Sequence, residues 1–328
     1  MRYLKNLICL ALIANLLLLV GCSGKPSSPL EEATTLEKGL LDNFKRTADL
    51  DYELNATTRI TEKTFWIYIA TEEDLVQISA VSGMSGFMPE KIIKFLDIKC
   101  QYEASSFGTS YIFLKFSPEE RAKQQDLLQK TIGGSSLYQD FTSNTLEILQ
   151  KVYFAIGDII HDTEDFNFFA ICLANIKKGI KITFIIHRLD MEQFLTSMLP
   201  PDEFYSRMIL KTDGSKELIE DKYGISINYT DISLTDFLEE QIVNNVRSKL
   251  SEMEKFNPKE LDAIDKLEDR ILESIYKVTT KYEFDNYILV EVENIIDRER
   301  LSLSRSKLLK KFDPVSPSYS PELSGKPQ

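Results

Sequence analysis

Histidine is scarce in this chain: two residues in 328, His161 and His187. A Ser-His-Asp triad would have to use one of them, and no Gly-x-Ser-x-Gly turn is there to present a nucleophile. Zinc ligands are equally short. The cysteines and the two histidines show none of the spacings of a zinc site. The acidic stretch 161–165 does not follow the pattern of a calcium loop. Gly133-Gly134-Ser135-Ser136 lacks the lysine of a phosphate-binding loop and the preceding strand of a dinucleotide fold, and reads as a linker. No metal and no cofactor is expected. Basic charge is also in deficit, with 39 Lys and Arg against 51 Asp and Glu and a net charge of −12. That balance argues against nucleic acid as a partner and against broad electrostatic docking on anionic lipid.

Long apolar runs are missing as well, except at the N-terminus. Arg2 and Lys5 precede an apolar run from Leu7 to Val20 broken only by Asn15. A membrane-spanning helix needs about 20 apolar residues, so this shorter run suits the apolar region of a secretory signal. It ends in Leu19-Val20-Gly21-Cys22 and is followed by Ser23-Gly24-Lys25-Pro26-Ser27-Ser28-Pro29. The four-residue stretch resembles the lipobox of bacterial lipoproteins. The resemblance implies that residues 1–21 are a signal peptide and that Cys22 carries a diacylglycerol and becomes the first residue of the mature chain. It also implies a membrane partner reached through lipid, with the body facing away from the cytoplasm. Two or more acyl chains anchor stably, since each buried CH2 contributes about 0.8 kcal/mol. Ser23, where many inner-membrane lipoproteins carry Asp, points to the outer membrane in a cell that has one. The tether 22–29 is short: the seven residues after Cys22, fully extended, span at most about 25 Å.

Without the first 21 residues, 37 basic and 51 acidic side chains remain, a net charge of −14. The hydrophobic content of 43% is enough to bury a sizeable core, and the length suits two ordinary domains or one large one. Cys9 leaves with the signal and Cys22 is lipidated, so Cys100 and Cys172 are the cysteines left. Outside the cytoplasm they are open to a disulfide. Cys172 lies in the apolar stretch 168–173, where a buried free thiol is equally in keeping.

Hydrophobic periodicity and turn chemistry give an α+β reading, with mixed or antiparallel sheets covered by helices. Helices are expected over 30–46, from Thr71 as cap, from Pro89 to Phe95, and from Ser117-Pro118 to Thr131. Further helices follow over 144–160 with Asn144 as cap, 190–199, from Pro200-Pro201, 233–253 and 258–278. Strands are expected over 51–59, 63–70, 110–116, 166–176, 180–187, 224–229 and 281–292, with 297–312 strand or helix. Lys177-Lys178-Gly179 is hairpin chemistry, Gly179 being able to take a positive φ. A helix followed by two strands recurs at 30–70, 144–187 and 259–308. The glycine-serine tract suggests a boundary near 135–143, dividing a domain or half at 30–135 from one at 144–313. The tail 314–328 is rich in Pro and Ser.

Few residues invite chemistry. His161, Asp162, Glu164 and Asp165 form the densest polar cluster and could serve an acid/base or metal site, or simply a solvated turn. His187 closes a strand with Arg188 and Asp190 beside it, as in a catalytic mouth or above a helix cap. Trp66 and its aromatic neighbours could line a groove, but on a short strand they read as core. The expectation is a non-catalytic binding or scaffold protein of the envelope with an unidentified envelope protein as partner. The alternatives are an envelope hydrolase using acids and a histidine, or a carrier or sensor of an apolar ligand.

Overall fold

The β-branched and aromatic run Thr64–Thr71 forms a buried strand, and the chain around it assembles two sheets. The computed structural model describes residues 35–77, 96–113, 141–256, 264–296 and 298–313. The signal, the lipobox and tether, the helices expected from Pro89 and Ser117, the glycine-serine tract and the proline-rich tail lie outside the described residues. The chain divides after Gly39; of the first unit only the opening of one helix is described, and Leu40–Gln328 holds the sheets.

The elements in order are α1 (Thr35–Tyr52), β1 (Thr57–Thr61), β2 (Thr64–Thr71), β3 (Leu96–Glu103), β4 (Ser106–Phe113) and α2 (Ser143–Gly157). Next come β5 (Phe168–Asn175), β6 (Ile180–His187), α3 (Arg188–Leu195), α4 (Pro201–Ser206) and β7 (Ile209–Gly214). The rest are α5 (Leu234–Phe256), α6 (Ile264–Lys281), β8 (Leu289–Asn294), β9 (Arg300–Ser304) and α7 (Arg305–Phe312). The fold is α+β.

In each sheet one parallel pairing joins a hairpin to a second antiparallel set of strands. The first runs β1-β2-β5-β6-β7, with β2 and β5 parallel and the other neighbours antiparallel. The second runs β3-β4-β8-β9, with β4 and β8 parallel. Both parallel pairings join strands that precede residues 135–143 to strands that follow them: β2 pairs with β5 of the set β5-β6-β7, and β4 with β8 of the pair β8-β9. Helix followed by two strands does occur at all three expected places. In the second and third, the last strand runs straight into a helix, at His187-Arg188 and at Ser304-Arg305, and the fourth residue of each helix, Met191 or Leu308, is fully buried.

Local chemistry explains where the elements differ from expectation. The hairpin between β5 and β6 forms as its turn predicts, with Gly179 at φ 65. Thr71 accepts a hydrogen bond from Glu73 N, but it ends β2, and no helix follows through Gln77. Thr142, not Asn144, caps α2, accepting from Thr145 N while donating to Asp74 O. The strand expected over 224–229 does not form. The Asp221 carboxylate takes the backbone N–H of Tyr223 and, inside the expected strand, those of Ile225 and Ser226, which a ladder would have drawn on. β7 stands in the sheet instead. The strand expected from 281 starts only at Leu289, because α6 reaches Lys281 and closes with Glu283 at φ 51. The segment 297–312, expected as strand or helix, holds both β9 and α7.

The first sheet is buried on both faces, as a parallel pair at its heart requires. One face carries Phe65, Ile67, Phe169, Ile171 and Phe184 against Phe44 of α1, Val152 and Ile156 of α2, Met191 of α3 and Phe204 of α4. The opposite face carries Tyr68 and Cys172 beneath Leu218 and Ile227, and Phe168, Ile185 and Ile209 beneath Phe237, Leu238 and Ile242 of α5. The second sheet buries one face, where Ile98, Phe107, Tyr111 and Val290 meet α5 and α6. Lys99, Gln101, Arg300 and Ser302 of that sheet are exposed.

Helix α5 is the seam. Three consecutive residues tie it to different elements: Glu239 accepts from Tyr102 N of edge strand β3 at 2.6 Å, Glu240 pairs with Lys211 of edge strand β7 at 2.7 Å, and Gln241 donates to Arg207 O at 2.7 Å. Polar groups thus cover the edge of one sheet and fasten it to the other.

Candidate functional site

The polar cluster with most buried charge lies where β6 leaves the first sheet. His187, the last residue of β6, is extended (φ −70, ψ 137), and its Nδ1 accepts from Leu189 N at 3.3 Å. It is the N-cap of α3, a role more often filled by Ser, Thr, Asp or Asn. That cap starts the helix two residues earlier than Asp190 and places Asp190 in its first turn, facing inward and 1% exposed. Carboxylates suit a first turn because the helix dipole is positive there.

Asp190 is fully engaged. Oδ1 accepts from Arg207 Nη1 at 2.6 Å and Oδ2 from the Tyr282 hydroxyl at 2.6 Å. Arg207, which closes α4, also pairs with Glu203 one turn earlier and donates to Gln193 Oε1 at 3.4 Å. Burial, and then the Asp190 charge, push the Tyr282 phenol well above its usual range, so it stays a donor. The His187 ring packs against Tyr282, Phe168 and Phe237 at centroid separations of 4.9, 5.3 and 5.9 Å. Burial lowers its pKa to about 4, against the pull of Asp190. Lys281, half-buried, has its ammonium 5.3 Å from the Tyr282 ring centroid. Burial brings its pKa down to about 8, with Asp190 opposing.

The residues singled out from sequence separate cleanly. His161 and Asp162 lie on a short 3-10 turn (Ile160–Asp162), and with Glu164 and Asp165 they are exposed. Thr163 between them is buried and donates to Ile160 O. No hydrogen bond or ion pair joins these four to His187 among the described residues. His187 and Asp190 are together as their spacing suggested, but in a cap rather than a mouth. Arg207, Tyr282, Lys281, Glu203 and Gln193, none of which the sequence singles out, complete the cluster. Glu203 and Arg207 are one helical turn apart, a visible ion-pair spacing; nothing in the sequence marks Tyr282. Trp66 is core, its Nε1 donating to Thr61 Oγ1 and Thr230 O.

The two cysteines stand apart from this cluster. Cys100 lies on β3 and Cys172 on β5, in different sheets, both buried and unbridged. Burial raises their thiols to about 12 and about 11. Among the described residues no group of three or more His, Cys, Asp or Glu could hold a metal ion.

Chemically the cluster is a lock. Both oxygens of Asp190 have donors, and the imidazole acceptor is committed to a backbone N–H. The side chains come from α3, α4 and the end of α6, while the carbonyl of Arg207 is held by α5. Comparison with known proteins adds no relative: no family model, no curated protein and no solved structure matches this chain.

Proposed function

We propose that this chain is a lipoprotein of the bacterial cell envelope whose body binds or scaffolds another envelope protein without catalysing a reaction. The observation that carries the reading is Leu19-Val20-Gly21-Cys22 behind a basic and then apolar lead. Cys22 is the lipidated residue, Gly21 precedes the cut, and Ser23 directs the protein to the outer membrane where one exists. Lipid supplies the membrane attachment, because a body of net charge −14 has no general attraction to anionic lipid.

The placement of the histidines supports a binding role over hydrolysis. A general base needs a free acceptor within reach of substrate. His187 has given Nδ1 to Leu189 N, and its neighbour Asp190 already has a buried donor on each oxygen. His161 stands in solvent on a turn.

The test is cross-linking in native membranes with the wild-type protein and with Cys22→Ala, each confirmed as folded. One envelope protein recovered repeatedly with the wild type, and lost with Cys22→Ala, is the expected result. Recovery of the same protein at equal yield with Cys22→Ala would separate binding from anchoring. Turnover of an envelope substrate by the purified chain, abolished by a substitution at His161 or His187, would overturn the non-catalytic reading.

A further inference from the structure

The junction at His187 depends on one proton. Its Nδ1 can cap α3 only while unprotonated, and the carboxylate that would attract an imidazolium, Asp190, is two hydrogen bonds deep in holding Arg207 and Tyr282. We propose that this junction is an acid-opened latch between the two sheets: proton uptake by the His187 imidazole withdraws the cap of α3 and draws Asp190 away from Tyr282, freeing the chain that follows α6 from the corner between β6 and α3.

Geometry supplies both halves of the latch. Tyr282 is in contact with the imidazole as well as bonded to Asp190, so a charged ring disturbs it twice. The charged groups facing the ring are Asp190, which attracts an imidazolium, and Arg188 and Lys281, which repel it. β5 and α5 face it with Phe168 and Phe237, which carry no charge. α4 brings Glu203 and Arg207 to the Asp190 side of the cluster. Near neutral pH the aromatic enclosure keeps the ring neutral and the latch closed. The ties that α5 makes through Glu239, Glu240 and Gln241 contain no histidine. Burial raises the Glu239 carboxyl, but it meets Tyr102 N of β3 and not the His187 ring, so the opening driven by His187 is local to α3 and to residues 282–287.

Hydrogen exchange of the full chain at pH 7 and pH 4.5, corrected for intrinsic exchange rates, tests it. The expected result is a loss of protection of more than tenfold over 188–195 and 282–287, with peptides from α2 and β5 unchanged. His187→Asn, which retains a capping acceptor but does not titrate, abolishes the loss; His161→Asn, at the one other histidine, leaves it intact. Equal protection at both pH values in the wild type overturns the proposal, and so does a uniform loss across all peptides. The same local loss in a folded His187→Asn protein also overturns it. The wild-type comparison stands alone if that variant fails to fold.

Discussion

Asp190 and Tyr282 are 92 positions apart and meet through a 2.6 Å hydrogen bond at the border of two hydrophobic cores. Met191, beside Asp190, belongs to the core under the first sheet, and Tyr282 to the core shared by α5, α6 and the second sheet. A buried charge held this way is costly to disturb from one side, because the partner left behind keeps its desolvation penalty. Asp190→Ala should lower stability by about 3–5 kcal/mol. Tyr282→Phe, which removes one donor from a charged acceptor, should cost about 1.5–3 kcal/mol. Urea unfolding of both single variants and the double variant checks this; the double variant should cost less than the two singles together. Strict additivity would mean that the two groups do not act as a pair.

Acid should weaken the fold in two stages. The folded pKa of His187, about 4, lies below its ordinary 6.5, so the unfolded chain takes the proton first. Stability therefore falls as pH drops from about 6.5 towards 4, by up to about 3 kcal/mol. Glu273 acts lower. Burial works to raise its carboxyl, but Lys277 and Lys249 outweigh that and bring it from 4.5 to about 2. Its contribution is present above 4.5 and lost as pH falls towards 2. Urea midpoints measured across pH 7 to 2 should show both stages, and His187→Asn should remove only the upper one.

Whether an element is legible in the sequence depends on whether its cause is local. The hairpin of β5 and β6 was readable because its cause is local: two apolar runs and a glycine at positive φ. β3 carries a period-2 signal, with Ile98 and Cys100 buried and Lys99 and Gln101 exposed, that is short and easily passed over. β7 has no comparable signal; Lys211, Asp213 and Gly214 are exposed at a sheet edge, where pairing with β6 rather than composition makes the strand. The stretch 224–229 has strand-like residues, but its Ile225 and Ser226 N–H groups go to Asp221. At the site, His187 and Asp190 were visible as neighbours. Arg207 and Tyr282 were not, because tertiary packing alone brings them there.

Gly224 has φ 65, and a Cβ there would stand 2.7 Å from the Tyr68 ring. Backbone strain and the clash act together, so Gly224→Ala should cost about 1–3 kcal/mol. Thermal unfolding tests this; a variant as stable as the wild type would show that the loop over Tyr68 and Tyr229 yields easily.

Reaction with thiol reagents requires the thiolate. Cys100 and Cys172 are buried, with thiols raised to about 12 and about 11. Neither should label with a maleimide at pH 7.5 in the folded protein, and both should label after denaturation without reductant. Failure of both to label in denaturant until reductant is added would reveal a disulfide.

The claim on which the functional account rests is the anchor, and metabolic labelling with a fatty acid, together with mass analysis of the mature N-terminus, tests it most directly. The account predicts a mature chain beginning at Cys22, acylated and recovered with membranes, and a Cys22→Ala protein that takes up no label. A wild-type chain that starts elsewhere, or label retained by Cys22→Ala, would contradict it.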